Sequence, residues 1–177
     1  MYKNRSKSYP VICCISYSNK TGGTENYINN IINNTNLNID WYFFESNKNF
    51  YFNENAQNCL GGIPKNKILR MYFFLKITYK LCTNNYKKII TFGFYPSFIG
   101  FLIKLIKPNI FWTITQREEY QWAKKPHLLF IYIFQIFSNR IETNAYHIKR
   151  SLIKKSLLKN KTHYSPNLIW DLSNKNK

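Results

Sequence analysis

A chain of 177 residues, 45% hydrophobic and 18% aromatic, has enough apolar side chain to bury one substantial core, which excludes a disordered protein and makes a single domain the expectation. Its formal charge of +18 and pI near 9.8 point toward polyanions, either nucleic acid or an anionic membrane, although Lys far outnumbers Arg and no basic block of five or more occurs, a pattern that AT-rich coding also produces. Cys13, Cys14, Cys59 and Cys82 lack CxxC spacing and His partners at metal-ligand intervals, so neither zinc nor thioredoxin chemistry is indicated and reduced core thiols are expected.

The N-terminal MYKNRSKSYP is basic, but the apolar run behind it is short and has no small-residue cleavage site, so the cytosol is the expected compartment. Val11 to Tyr17 is β-branched and thiol-rich without polar alternation, as in a strand covered on both faces. After Gly22-Gly23, Thr24 can cap a helix whose Tyr27, Ile28, Ile31 and Ile32 share one face. Ile39 to Glu45 reads as a second strand, and Ser46 to Asn58 as an exposed polar loop. From Lys65 to Cys82 the apolar Ile68, Met71, Tyr72, Leu75, Tyr79 and Leu81 recur mostly at helical spacing and define the expected core face, with basic residues opposite.

Lys88 to Phe92 follows as a strand, Ser97 to Ile106 as a helix stopped by Pro108, and Asn109 to Thr115 as another strand. His127 to Phe137 is apolar all round, which predicts a fully buried helix or one lying in a membrane interface; it is too short to cross a bilayer. Arg140 to Asn144, Ala145 to Leu158 and Lys161 to Ser165 read as strand, helix and final strand. Without any Asn-Gly or Asp-Gly hairpin signal, this alternation predicts an α/β fold: one Rossmann-like domain over residues 1–170, a mostly parallel sheet of about six to seven strands with helices on both faces, and a polar tail at 171–177.

Ligands of such sheets bind beyond the carboxyl ends of the strands, and the first βα loop is a common seat for phosphate at a helix N-terminus. Gly22, Gly23 and Thr24 lie there, where bare backbone amides can approach an anion, or where the glycines simply make a tight turn. Neither a dinucleotide fingerprint nor a Walker loop is present. Phe94 and Tyr95 would line the same cleft with aromatic faces suited to a sugar or a lipid headgroup, or would pack the loop. Past the next strand stand Gln116 and Arg117, then Glu118 and Glu119, either of which can deprotonate a hydroxyl if it reaches substrate; a solvated helix start is the competing reading. His127, His147 and His163 share no ligand spacing and are expected in surface or structural roles.

The segment NKTGGTENYINNIINN resembles the first loop and helix of family-4 glycosyltransferases of the GT-B type, where a Gly-Gly-x-Glu motif opens the helix. FGFYPSFIGFLIKLIKPNIFWTI is similar to a strand, small-residue turn, helix and strand of that family, and RIETNAYHIKRSLIKK followed by THYSPNLIWD resembles its sixth strand, helix and the Pro-Asn loop, here at Asn167, that leaves the N-terminal domain. The resemblance implies one half of a GT-B fold: an acceptor-side domain whose cleft includes Phe94, Tyr95, Gln116 and Arg117 and whose Gly-Gly loop faces the donor phosphates. It also implies hexosyl or similar transfer from a nucleotide-sugar co-substrate, with no metal, to a glycan or lipid-linked acceptor.

The family's donor-binding half carries a Glu-x7-Glu motif, for which no counterpart follows Asn167. The chain is therefore expected to work with a separately encoded donor domain or to be a truncated product, inactive alone in either case. Where the family places a His past its fifth strand, this chain has Thr115, Gln116, Arg117, Glu118 and Glu119, so a catalytic His is not expected and Glu118 and Glu119 are the remaining candidates. Basic helix faces add an expectation of peripheral contact with the inner face of a membrane. The alternative is a non-catalytic basic α/β protein binding nucleic acid or anionic membrane, although scarce Arg makes nucleic acid the weaker partner.

Overall fold

A computed structural model of the chain describes residues 12–18, 27–28, 39–45, 57–117 and 124–165. They form a seven-stranded sheet in which every pairing is parallel. The strands are β1 (Ile12–Ser18), β2 (Ile39–Glu45), β3 (Gln57–Cys59), β4 (Lys88–Phe92), β5 (Phe111–Gln116), β6 (Arg140–Thr143) and β7 (Thr162–Tyr164), and their order across the sheet is β3-β2-β1-β4-β5-β6-β7. Order therefore reverses between β1 and β4, which pair from Ile12 with Lys88 to Ile15 with Thr91. Both flanks of that line are buried, as expected of parallel strands covered on two sides.

On one face, Cys13 and Ile15 pack with Phe44, Phe74, Ile77, Ile99, Ile103 and Phe134. Those last five come from helices α1 (Lys67–Thr83), α2 (Phe94–Ile106) and α3 (Lys125–Phe137) after Phe44 of β2. On the other face, Ile12 and Cys14 pack with Trp41, Phe43 and Ile28, the last in the helical pair Tyr27–Ile28. Helix α4 (Tyr146–Ile153) and the 3-10 turn Ser156–Lys161 close a smaller cluster on Ile141. The expected fold class is thus observed, and β1 to β4 set the line around which the rest is wound.

Several local expectations are corrected. The stretch read as a loop to Asn58 ends inside β3, a polar strand of three residues whose pairing with β2 is a tertiary fact with no periodic signal. The helix expected to run from Ala145 to Leu158 stops at Ile153 and gives way to the 3-10 turn. α1 buries Phe74, Ile77, Thr78 and Leu81, while Ile68, Met71, Tyr72, Leu75 and Tyr79 are exposed, so of the expected core positions only Leu81 is buried. α3 is neither fully buried nor uniformly exposed: Ile131, Phe134 and Gln135 face inward and Leu128, Leu129, Phe130 and Phe137 outward. Cys13 and Cys14 are core thiols, Cys14 being pushed up to about 12 chiefly by burial, but Cys59 is exposed.

At the amino edge, Tyr86 donates to Asp40 Oδ2 at 2.6 Å. With that proton committed, the 2.8 Å contact with Tyr42 has the Tyr42 hydroxyl as donor, and Asn84 Nδ2 donates to the same Tyr86 oxygen at 3.2 Å. Burial, then the bond to Asp40, holds the Tyr86 phenol far above its ordinary value, and burial raises Tyr42 as well. A raised phenol favours the folded state below the unfolded value near 10 and loses that contribution as pH climbs past it. Urea midpoints are expected to hold up to about pH 10 and fall above it. Tyr86→Phe should cost about 2–3 kcal/mol at neutral pH, because a bond to a carboxylate is lost and Tyr42 is left without its acceptor, and should flatten the alkaline fall.

Candidate active site

The described strands being parallel, the described helices start at the carboxyl edge of the sheet, where α1, α2 and α3 bring the positive ends of their dipoles. α1 is capped by Asn66, whose side chain accepts from the amides of Ile68 at 2.9 Å and Leu69 at 3.3 Å. α2 begins directly after β4 on Gly93, whose φ of 92° and ψ of −178° lie in a region that only glycine occupies readily, and no side chain caps it. That backbone turns β4 into α2 with no intervening loop and brings Phe94 and Tyr95 to the rim. α3 starts after Lys124 with Pro126 in its first turn, where a missing amide costs nothing.

Between these three starts lies a cavity of about 340 Å³. Phe74, Phe94, Tyr95 and Phe98 form its apolar wall, and Lys67, Arg70 and His127 bring the polar and cationic groups. The aromatics are mutually supported: Tyr95 stacks on Phe74 at 5.7 Å and on Tyr17 at 6.5 Å, and Phe94 meets Tyr95 edge-on at 5.5 Å and His127 at 5.3 Å. Tyr17, at the end of β1, donates to Glu45 Oε1 at 2.9 Å, and this bond to a carboxylate is the main reason its phenol is raised. Arg70 is tied to the loop before α1 by a 2.8 Å bond from Nη2 to the Lys65 carbonyl. Aromatic faces beside a tethered guanidinium and an exposed ammonium form a site for a hydroxylated or apolar group carrying an anion.

The four residues expected to share one cleft are divided. Phe94 and Tyr95 line the cavity just described. Gln116 instead borders a second space of about 350 Å³ between α3 and α4, where its Oε1 accepts from the buried Gln135 Nε2 at 2.7 Å. Arg117 reaches the opposite face, its guanidinium 4.1 Å over the Tyr27 ring and 5.9 Å from Phe92. Adjacent residues at a strand end point to opposite faces, and this alternation is what separates Gln116 from Arg117. Gly22, Gly23, Thr24, Glu118, Glu119 and Asn167 lie outside the described residues.

Lys67, Arg70 and His127 were not among the expected site residues, and His127 was assigned a surface or structural role. The signal that could have found them is topological: in an all-parallel sheet the residues opening each helix converge on one rim. Among the described residues, no group of three or more His, Cys, Asp or Glu is placed to hold a metal ion.

No protein-family model and no curated protein matches the sequence. Solved structures do match in fold. Anabaena HepE, solved in complex with UDP and glucose, is 13% identical with a TM-score of 0.70 over 88% of this chain and 44% of its own. The lipopolysaccharide outer core galactosyltransferase WaaB is 16% identical with a TM-score of 0.61 over 88% of this chain and 45% of its own. The fold is one half of a GT-B protein. UDP-N-acetylglucosamine 2-epimerase from Rickettsia bellii shares this GT-B half as well, at 13% identity and a TM-score of 0.64 over 90% of this chain and 45% of its own. The chain thus spans less than half the length of each of these three structures.

Proposed function

We propose that the chain is the acceptor-side half of a GT-B glycosyltransferase of the family-4 kind, taking part in transfer of a hexosyl or similar sugar from a nucleotide-sugar to a glycan or lipid-linked acceptor. The observation that carries this reading is the 340 Å³ cavity at the carboxyl edge, where Tyr95 and Phe94 offer ring faces to an apolar or sugar group and Lys67 and Arg70 stand beside them for a phosphate. The fold shared with a galactosyltransferase, and with a protein solved with UDP and glucose, supports it.

In this reading the acceptor lies along Tyr95, and Arg70 fixes its anion. Gly22, Gly23 and Thr24 are assigned to the donor phosphates, and Arg117, stacked on Tyr27, is a further positive charge for the donor side. Glu118 or Glu119 takes the acceptor proton, and a donor-binding domain completes the cleft.

Membranes from the native host, with and without this chain, supply the partner for a direct test. Label from a nucleotide-hexose should enter glycan or glycolipid, drop on deletion, return with the wild-type chain, and return less than about a tenth as well with Arg70→Ala or Tyr95→Ala, the loss expected when an anion contact or a stacking face is removed. Incorporation that is unchanged by deletion would sink the proposal.

A further inference from the structure

α1 carries two apolar stripes, of which the fold uses one. Phe74, Ile77 and Leu81 enter the core, whereas Ile68, Tyr72, Leu75 and Tyr79 are 80%, 66%, 52% and 73% exposed. These four recur at intervals of four, three and four residues, so they stand in one line along the helix, about 16 Å from first to last at 1.5 Å per residue. Lys76 and Lys80 flank the line on one side, Arg70 and Lys67 lie toward the cavity, and α3 adds exposed Phe130 at the cavity lining.

Charge decides what covers this face. No Asp or Glu occurs between Glu54 and Glu118, so α1, β4, α2 and β5 bring only cations to it. A second copy seated on the stripe would set Lys76 and Lys80 against their own equivalents with no carboxylate on α1 to offset them. A bilayer rich in anionic lipid meets both demands. Leu and Ile enter the acyl boundary, Tyr72 and Tyr79 sit with their rings at headgroup depth, and lysine stems lie along the apolar surface with their ammonium groups among phosphates.

We infer that the exposed face of α1 is a docking surface for an anionic lipid bilayer, laid flat on the membrane rather than inserted across it. Among the described residues no helix is long and apolar enough to cross one. The inference uses exposure and charge alone and stands independently of the transferase reading.

Flotation of the full chain with phosphatidylcholine vesicles, and with vesicles mixing phosphatidylcholine and phosphatidylglycerol, tests it without any turnover. Binding is expected only to the anionic mixture and should weaken as salt is raised. Tyr72→Glu combined with Leu75→Glu should lower the partition coefficient at least about tenfold, since two apolar contacts become charged. Lys76→Glu combined with Lys80→Glu, which leaves the apolar line intact and provides a second variant should the first fail to fold, should lower it by at least about fivefold per lysine. Leu105→Glu, on the exposed carboxyl end of α2, should bind as wild type. Absence of wild-type binding to the anionic vesicles overturns the inference, as does equal binding by a folded Tyr72→Glu/Leu75→Glu protein. A lipid-free dimer that the same pair of substitutions dissolves also overturns it in favour of a second copy.

Discussion

Phe134→Ala is expected to lower the stability of the protein by about 3–5 kcal/mol, the usual cost of removing a buried ring. Phe134 is 1% exposed on the inner face of α3 and lies between helices rather than within one: its ring is 5.4 Å from Phe101, 5.8 Å from Phe94, 6.2 Å from Phe98 and 6.4 Å from Trp112. The neighbours cannot close the gap, because Trp112 is held by a 3.0 Å bond from Nε1 to Thr91 Oγ1 and Phe94 is fixed by the Gly93 turn. A void of about 10 Å³ already borders Phe134, so the truncation enlarges a space that packing has left open. Thermal unfolding should shift down by on the order of 10 °C at this chain length. Phe94 loses its backing at the same time, so binding at the cavity should weaken even where the variant remains folded.

Gly100→Ala should cost about 2 kcal/mol, although alanine is the better helix former by about 1 kcal/mol. A Cβ at position 100 would stand 2.5 Å from Trp112 Nε1, 2.7 Å from its Cε2 and 2.9 Å from Thr91 Cγ2. The indole is fully buried and cannot swing away without breaking its bond to Thr91. α2 must therefore lift off β4 and β5, and the movement is transmitted to Phe94 and Tyr95 at its start. Gly62→Ala is the matched control, because a Cβ there meets nothing within 4 Å and the backbone is unstrained; its denaturation midpoint should stay within about 0.5 kcal/mol of wild type. Equal midpoints for the two alanine variants would show that α2 does not need close contact with Trp112.

How far the sequence reaches into this structure depends on whether a signal is local. Ile39–Glu45 and Lys88–Phe92 are strands at the bounds read from their apolar runs, because burial on both faces leaves a continuous signature. β3 has none: Gln57–Cys59 are polar residues that become a strand because β2 offers an open edge. α1 misled for the opposite reason. Apolar residues line two sides of it, both at helical spacing, and periodicity alone does not say which side the sheet will take.

The site follows the same division. Phe94 and Tyr95 could be placed at the rim from the strand and turn before them, whereas Lys67 and Arg70 come to it only once β3 is known to send α1 back across β2 and β1. Gln116 and Arg117 are neighbours in the chain and were read as neighbours in function, but the pleat of β5 sends them to different faces.

The outermost strands of the described sheet, β3 and β7, have three residues each. A foreign chain adding itself by main-chain hydrogen bonds would find only a short ladder on either border, with exposed Cys59 on one and exposed His163 and Tyr164 on the other. Strand addition along these described borders should therefore be disfavoured.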